Sequence, residues 1–188
     1  TAVSTERDAK TLDLLLVTDL TPREFIFGKL GGVFYNAKEM VLLPLICCVY
    51  LWWLGGVSAE NVFYVGFGLL VMDFFVAVLG LHCGLIHGNS RTAIATSLGT
   101  VFFLFIGIAT CMRIMVAFSG TFGYQLAPFL AFMLGGGIGL YVSLGAKNAS
   151  PAIFCAAFTA PFLTFWAIAS YLQDQTLAPF LVASVTYV

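Results

Sequence analysis

Residues 5–29 read TERDAKTLDLLLVTDLTPREFIFGK, and this is the one strongly charged stretch of the chain. It holds five of the nine acidic residues (Glu6, Asp8, Asp13, Asp19 and Glu24) and four of the eight basic ones (Arg7, Lys10, Arg23 and Lys29). After Glu39 the sequence is close to uniformly apolar. Within the stretch, Ala9, Leu12, Leu15 and Leu16 recur at helical spacing and predict one apolar stripe. Glu6, Arg7, Lys10 and Asp13 fall on the other side. Thr21, Pro22 and Glu24 then form the signature of a second helix start. A threonine cap, a proline at the first helical position and a glutamate three residues after the cap make a capping box. That second helix carries Phe25, Ile26 and Leu30 and leads through Gly28 and Lys29 into apolar sequence. The residue pattern alone describes an interfacial amphipathic segment at the mouth of a membrane-embedded body.

Composition fixes the class. The chain has 188 residues, 61% hydrophobic and 9% charged, with a mean hydropathy of +1.01. A soluble domain carries about 25% charged residues. The expected fold is therefore all-α: a polytopic helical membrane protein. The net charge of -1 says nothing about nucleic acid, and with no basic patch no nucleic-acid partner is expected. Five spans are expected at about 31–54, 62–86, 93–118, 124–144 and 151–172, each near the roughly 20 residues a bilayer needs. Pro44 is a possible kink in the first. An apolar tail follows at 176–188 and reads as the start of a further span. The joints are short and turn-rich: Gly55 to Ser58, Gly88 to Ser90, Ser119 to Thr121, and Lys147 to Ser150. Two parts result, a water-facing segment 1–30 and a transmembrane region 31–188.

Lysine and arginine placement sets the orientation. If segment 1–30 is cytoplasmic, Arg91 and Lys147 fall on the cytoplasmic side as well. The opposite joints carry Glu60, no charge, and Asp174.

With those residues in view, the run from Glu6 to Thr18, followed by Leu20, Thr21, Glu24, Gly28 and Lys29, resembles a segment of ABC-2 type transporter permeases. That family shows an E-R-(D/E)-x-(G/K)-T-L-(D/E)-x-L-L-x-T-x-L-(S/T)-x-x-E-x-x-x-G-K pattern between its second and third spans. Lys10 stands where glycine is common, and Asp19 where proline is common. The match covers about 25 residues, and the rest of the chain agrees in hydropathy only. The resemblance implies a cytoplasmic coupling helix docked on an ATP-binding cassette ATPase subunit. It implies coupling roles for Glu6, Arg7, Thr11, Leu12, Leu15, Thr21, Pro22 and Glu24. It implies that ATP and Mg sit on the partner, with no cofactor bound by this chain. A second permease copy or homologue, the lipid bilayer and a bacterial inner membrane are further implications. It also implies a fragment that lacks the first two spans.

Charged residues inside spans are the other candidates. Asp73 falls near the middle of the second span, where an unpaired carboxylate costs on the order of 3 kcal/mol on insertion scales. It is expected to be protonated, paired or facing a wet cavity. Lys38, on the antiparallel first span, is the nearest expected partner. Arg113, near the end of the third, can snorkel to the interface unaided. Asp73 is either part of a translocation path or a structural contact between helices.

His82, Cys83 and His87 invite a metal reading, but two histidines five residues apart do not share a helical face. No metal site is expected. Cys47, Cys48, Cys83, Cys111 and Cys155 lie in apolar runs without zinc or disulfide spacing. Gly80, Gly84 and Gly88, and likewise Gly135 and Gly139, are spaced for close helix approach. The chain lacks G-x-x-x-x-G-K-(S/T), G-x-S-x-G and H-E-x-x-H, so neither P-loop ATP binding nor those hydrolytic chemistries belong to it. Three functions remain: an exporter permease subunit, which is not itself an enzyme; a polytopic membrane enzyme using Asp73, His82 or His87; and an assembly subunit of a membrane complex.

Overall fold

The computed structural model describes residues 21–117, 122–147, 149–173, 175 and 177–187. Glu6, Arg7, Thr11, Leu12 and Leu15 lie outside these residues, as do Asp174 and the joint at Ser119 to Thr121. All regular structure among the described residues is helical. Five helices are long and apolar enough to cross a membrane: Arg23–Trp53, Ala59–Ile86, Ser90–Ala117, Tyr124–Leu144 and Pro151–Leu172. The chain is a membrane protein by that criterion, and the expected spans lie within a few residues of these at most ends. The exception is the start of the first helix.

That helix, α1 (Pro22–Trp53), starts where the capping box directs it. Thr21 is extended, with φ -69 and ψ 148. Its backbone N–H donates to Glu24 Oε2 at 2.9 Å, and its hydroxyl donates to the same oxygen at 2.8 Å. The Glu24 N–H donates to Thr21 Oγ1 at 3.4 Å. Nothing stops the helix at residue 30, because an interior glycine weakens a helix by about 1 kcal/mol without breaking it. Gly28, Gly31 and Gly32 are carried through, as is Pro44. The stop comes at Gly55, whose φ of 73 is left-handed and closes the end as glycine does best. Ser58 then caps α2 (Ala59–Ile86) by accepting from the Asn61 N–H at 3.3 Å.

The chain divides into two compact units, residues 1–97 with 187–188, and residues 98–186. In the first, α1 packs along α2. Phe34 stacks on Phe74 with centroids 6.4 Å apart, and Leu45 sits against Gly66. As the first residue number rises the second falls, so the pair is antiparallel, with Asp73 level with about Tyr35 and Asn36. α1 presents one stripe to α2: Leu30, Val33, Phe34, Ala37, Val41 and Leu45 are buried or half-buried. Its other side, including Tyr35, Met40, Leu43 and Ile46, is exposed. α3 (Ser90–Phe102) opens the third span.

In the second unit the third span continues through a π-helical segment (Phe103–Gly107) into α4 (Ile108–Ala117). Next come α5 (Phe122–Leu144), α6 (Pro151–Leu172) and α7 (Leu177–Thr186). α6 touches the π segment, α4, α5 and α7 and is the hub of this unit. Its start is fixed by Ser150, which accepts from the Ile153 N–H at 3.2 Å, with Pro151 at the first position. Leu104, Ile108, Met133, Pro161 and Thr164 form the buried centre. The Thr164 hydroxyl is satisfied within its own helix by the Ala160 carbonyl at 2.7 Å. α7, at 10 residues, is shorter than a span needs and packs on α6.

Glycine packing differs from the expected spacing. Gly135 and Gly139 have nothing within 4 Å of where a Cβ would stand, and neither do Gly80 and Gly88. Gly84 is buried, and the tightest approaches to other helices are at Gly136, against the Phe103 ring, and Gly137, against Phe158 and the Ala157 carbonyl. Pro161 has no N–H to give that carbonyl, so α6 loses one rung of its ladder where α5 comes nearest.

Candidate functional site

The described residues place one ionisable side chain in the interior of a span with an unmet bonding need. Asp73 is half-buried on α2, and its Oδ2 is fully buried with no hydrogen-bond partner. It lines a groove of about 330 Å³. One wall is α1, with Lys29, Val33, Phe34, Ala37 and Val41; the other is α2, with Val76, Ala77 and Gly80; Ser97 of α3 also contributes. All of these residues belong to the first unit. Ala37 on α1 and Ala77 on α2 are small lining side chains that leave room beside the carboxylate.

The expected pairing of Asp73 with Lys38 does not occur. Lys38 lies within one turn of the level of Asp73 but on the wrong face: it is exposed, and its Nζ lies 4.3 Å from the centroid of the Tyr35 ring. The reason is helical phase. Ala37 occupies the inward position at this level, and the next residue is turned about 100° away. Lys29 reaches the groove from one end. Helical side chains lean toward the N-terminus of their own helix, and Lys29 Nζ accordingly stands 5.8 Å from the Phe25 ring centroid, one turn back. Arg113 is exposed on α4, in the second unit, four residues from the end of its span.

His87 is accounted for by its place at a helix end. His87 ends α2, and its Nδ1 lies 3.2 Å from the Cys83 carbonyl. A carbonyl only accepts, so Nδ1 carries the hydrogen. That leaves Nε2 to accept from the Thr96 hydroxyl, 3.3 Å away. Both ring nitrogens are thereby engaged between α2 and α3. No grouping of three metal-binding side chains exists among the described residues.

A larger furrow of about 980 Å³ lies in the second unit between α4 and α5, lined by Thr110, Cys111, Ile114, Phe129 and Phe132. Its walls are almost wholly apolar, and the Gln125 amide on its edge donates to the Met115 carbonyl at 3.2 Å. It holds no charged group, so the smaller groove has more chemistry. Nothing in the sequence marks the furrow, which arises from the way the third span and α5 diverge beside the π segment.

In α1 and α6 basic residues lie at or before the start and aromatic residues at the end, which composition alone does not reveal. α1 begins with Arg23 and Lys29 and ends with Tyr50, Trp52 and Trp53, all exposed or half-buried. α6 follows Lys147 and ends with the exposed Tyr171. Tryptophan and tyrosine favour membrane interfaces, and cations favour the cytoplasmic one. No family model, curated protein or solved structure matches the chain.

Proposed function

We propose that this chain is the membrane-spanning permease subunit of an ABC-2 type exporter, moving its substrate with ATP hydrolysed by a separate subunit. The observation that carries the proposal is the residue pattern from Glu6 to Lys29, ending in a capping box that launches an uninterrupted apolar helix. Short polar helices at the foot of a span are suited to transmit movement, because a rigid helix carries displacement along its axis without dissipating it in a loop. The hydrogen-bonded start at Thr21 and Glu24 and the continuous α1 supply such a rigid link. Five helices of spanning length provide the body. The basic residues at the start of α1 and before α6 support a cytoplasmic placement for residues 1–30.

In this reading Glu6, Arg7, Thr11, Leu12 and Leu15 touch the ATPase subunit, while Thr21, Pro22 and Glu24 orient the helix behind them. The permease works with a second copy or homologue in the bacterial inner membrane. The test is affinity purification of the tagged chain from its native membranes in mild detergent. An ATPase subunit bearing a Walker motif is expected to co-purify in stoichiometric amount. Recovery without any such ATPase contradicts the proposal.

A further inference from the structure

The Asp73 groove has features that the permease assignment alone does not use. It combines one carboxylate oxygen, buried and without a hydrogen-bond partner, with walls that are mainly apolar at its depth, Val33, Phe34, Val41, Val76 and Ala77; the other polar members are Lys29 at one end and Ser97 of α3. A carboxylate held among such walls is costly unless something offsets its charge. Lys38, the nearest expected partner, does not do so. Lys38 is turned out toward Tyr35. Lys29 stands about six residues before the level of Asp73, about 9 Å along the helix at 1.5 Å per residue, and leans the other way, toward Phe25. The unmet charge and the empty volume of about 330 Å³ are therefore in the same place, and that volume is at the small end of the roughly 300–1,000 Å³ typical of ligand sites.

We infer that this groove binds a lipophilic organic monocation, its charge on Asp73 and its apolar body between α1 and α2. Charge complementarity selects the sign. The aliphatic walls select against small hydrated ions, which would lose their water shell and regain one ligand oxygen. Phe34, stacked with Phe74 at the groove's edge, offers an aromatic face to a cation. This names a substrate class for the exporter and rests on that reading for transport, although binding as such does not.

The probe is tetraphenylphosphonium, with triphenylphosphine oxide as the uncharged control, measured by equilibrium dialysis against the full-length protein in nanodiscs without any ATPase subunit. Saturable binding of the cation is expected. Asp73→Asn, which keeps shape and removes charge, is expected to weaken it at least tenfold while leaving the neutral control unchanged. Ala77→Leu keeps the charge and fills the groove, and it too is expected to weaken the cation at least tenfold. Unsaturable uptake by the wild type overturns the inference. So does undiminished binding in Asp73→Asn, the result if the carboxyl simply holds a proton, or in Ala77→Leu, which moves the site elsewhere. Because no ATPase is present, failure here leaves the co-purification result standing, and the reverse also holds.

Discussion

Gly136 shows how a single residue is fixed by its surroundings. A Cβ there would overlap the ring of Phe103. That ring has little room to retreat, since it lies against Phe132 with centroids 5.4 Å apart. Gly135, its neighbour, meets nothing. Gly136→Ala is therefore expected to destabilise the protein by about 1–3 kcal/mol, the usual cost of overpacking a core. Gly135→Ala is expected to be neutral or slightly stabilising, because alanine is the better helix former by about 1 kcal/mol. Thermal unfolding of the two purified variants side by side checks this, and equal stabilities would refute the contact. Sequence spacing pointed to Gly135 and Gly139 because both lie on one helical face. It could not show which face of α5 meets the third span. The same limit applies to Asp73: its depth was readable from hydropathy, and its lack of a partner was not, since that depends on the phase of Lys38 on another helix.

Among the elements, α1 was the most legible, because its start is encoded locally. Thr21, Pro22 and Glu24 need only one another to form the cap, and the hydrogen bonds expected from their order are those seen. Thr21→Ala removes both hydroxyl contacts and is expected to cost about 1 kcal/mol at the helix start. Hydrogen exchange of the first-turn amides, Glu24 and Phe25, should accelerate roughly fivefold, with exchange in the middle of α2 unchanged. An unaltered rate at Glu24 would mean that the cap contributes nothing. The third span was the least legible. Its hydropathy gave one continuous helix, and the π segment at Phe103–Gly107 left no mark on composition or period. Such segments arise where tertiary packing rewards an extra residue in a turn, and here the packing involves Phe103 and Gly107 against Phe132 and Gly136 of α5.

For the whole molecule, the number and approximate bounds of the spans followed from hydropathy, because the bilayer imposes length and apolarity on every spanning helix. The division into two units did not, since it depends on which helices touch. α1 has an exposed apolar surface over most of its circumference, including Tyr35, Met40, Leu43, Ile46 and Trp53. In water that much contiguous apolar area would drive association; in a bilayer, lipid or another helix covers it. In the proposed function, coupling is carried by the charged segment in front of this body. If Glu6 and Arg7 form buried ion pairs with the ATPase subunit, removing one partner costs about 3–5 kcal/mol, whereas an exposed pair is worth about 1 kcal/mol or less. The two cases separate clearly in a coupling assay. The decisive measurement is permease-dependent ATP hydrolysis by the reconstituted complex, comparing wild type with Glu6→Arg and Leu12→Asp. The account predicts that both variants insert and fold normally, because the residues lie outside the spans, yet lose the stimulation and bind the ATPase subunit roughly a hundredfold more weakly. Stimulation and co-purification at wild-type levels in both variants would contradict it, and would leave residues 5–29 as a membrane anchor.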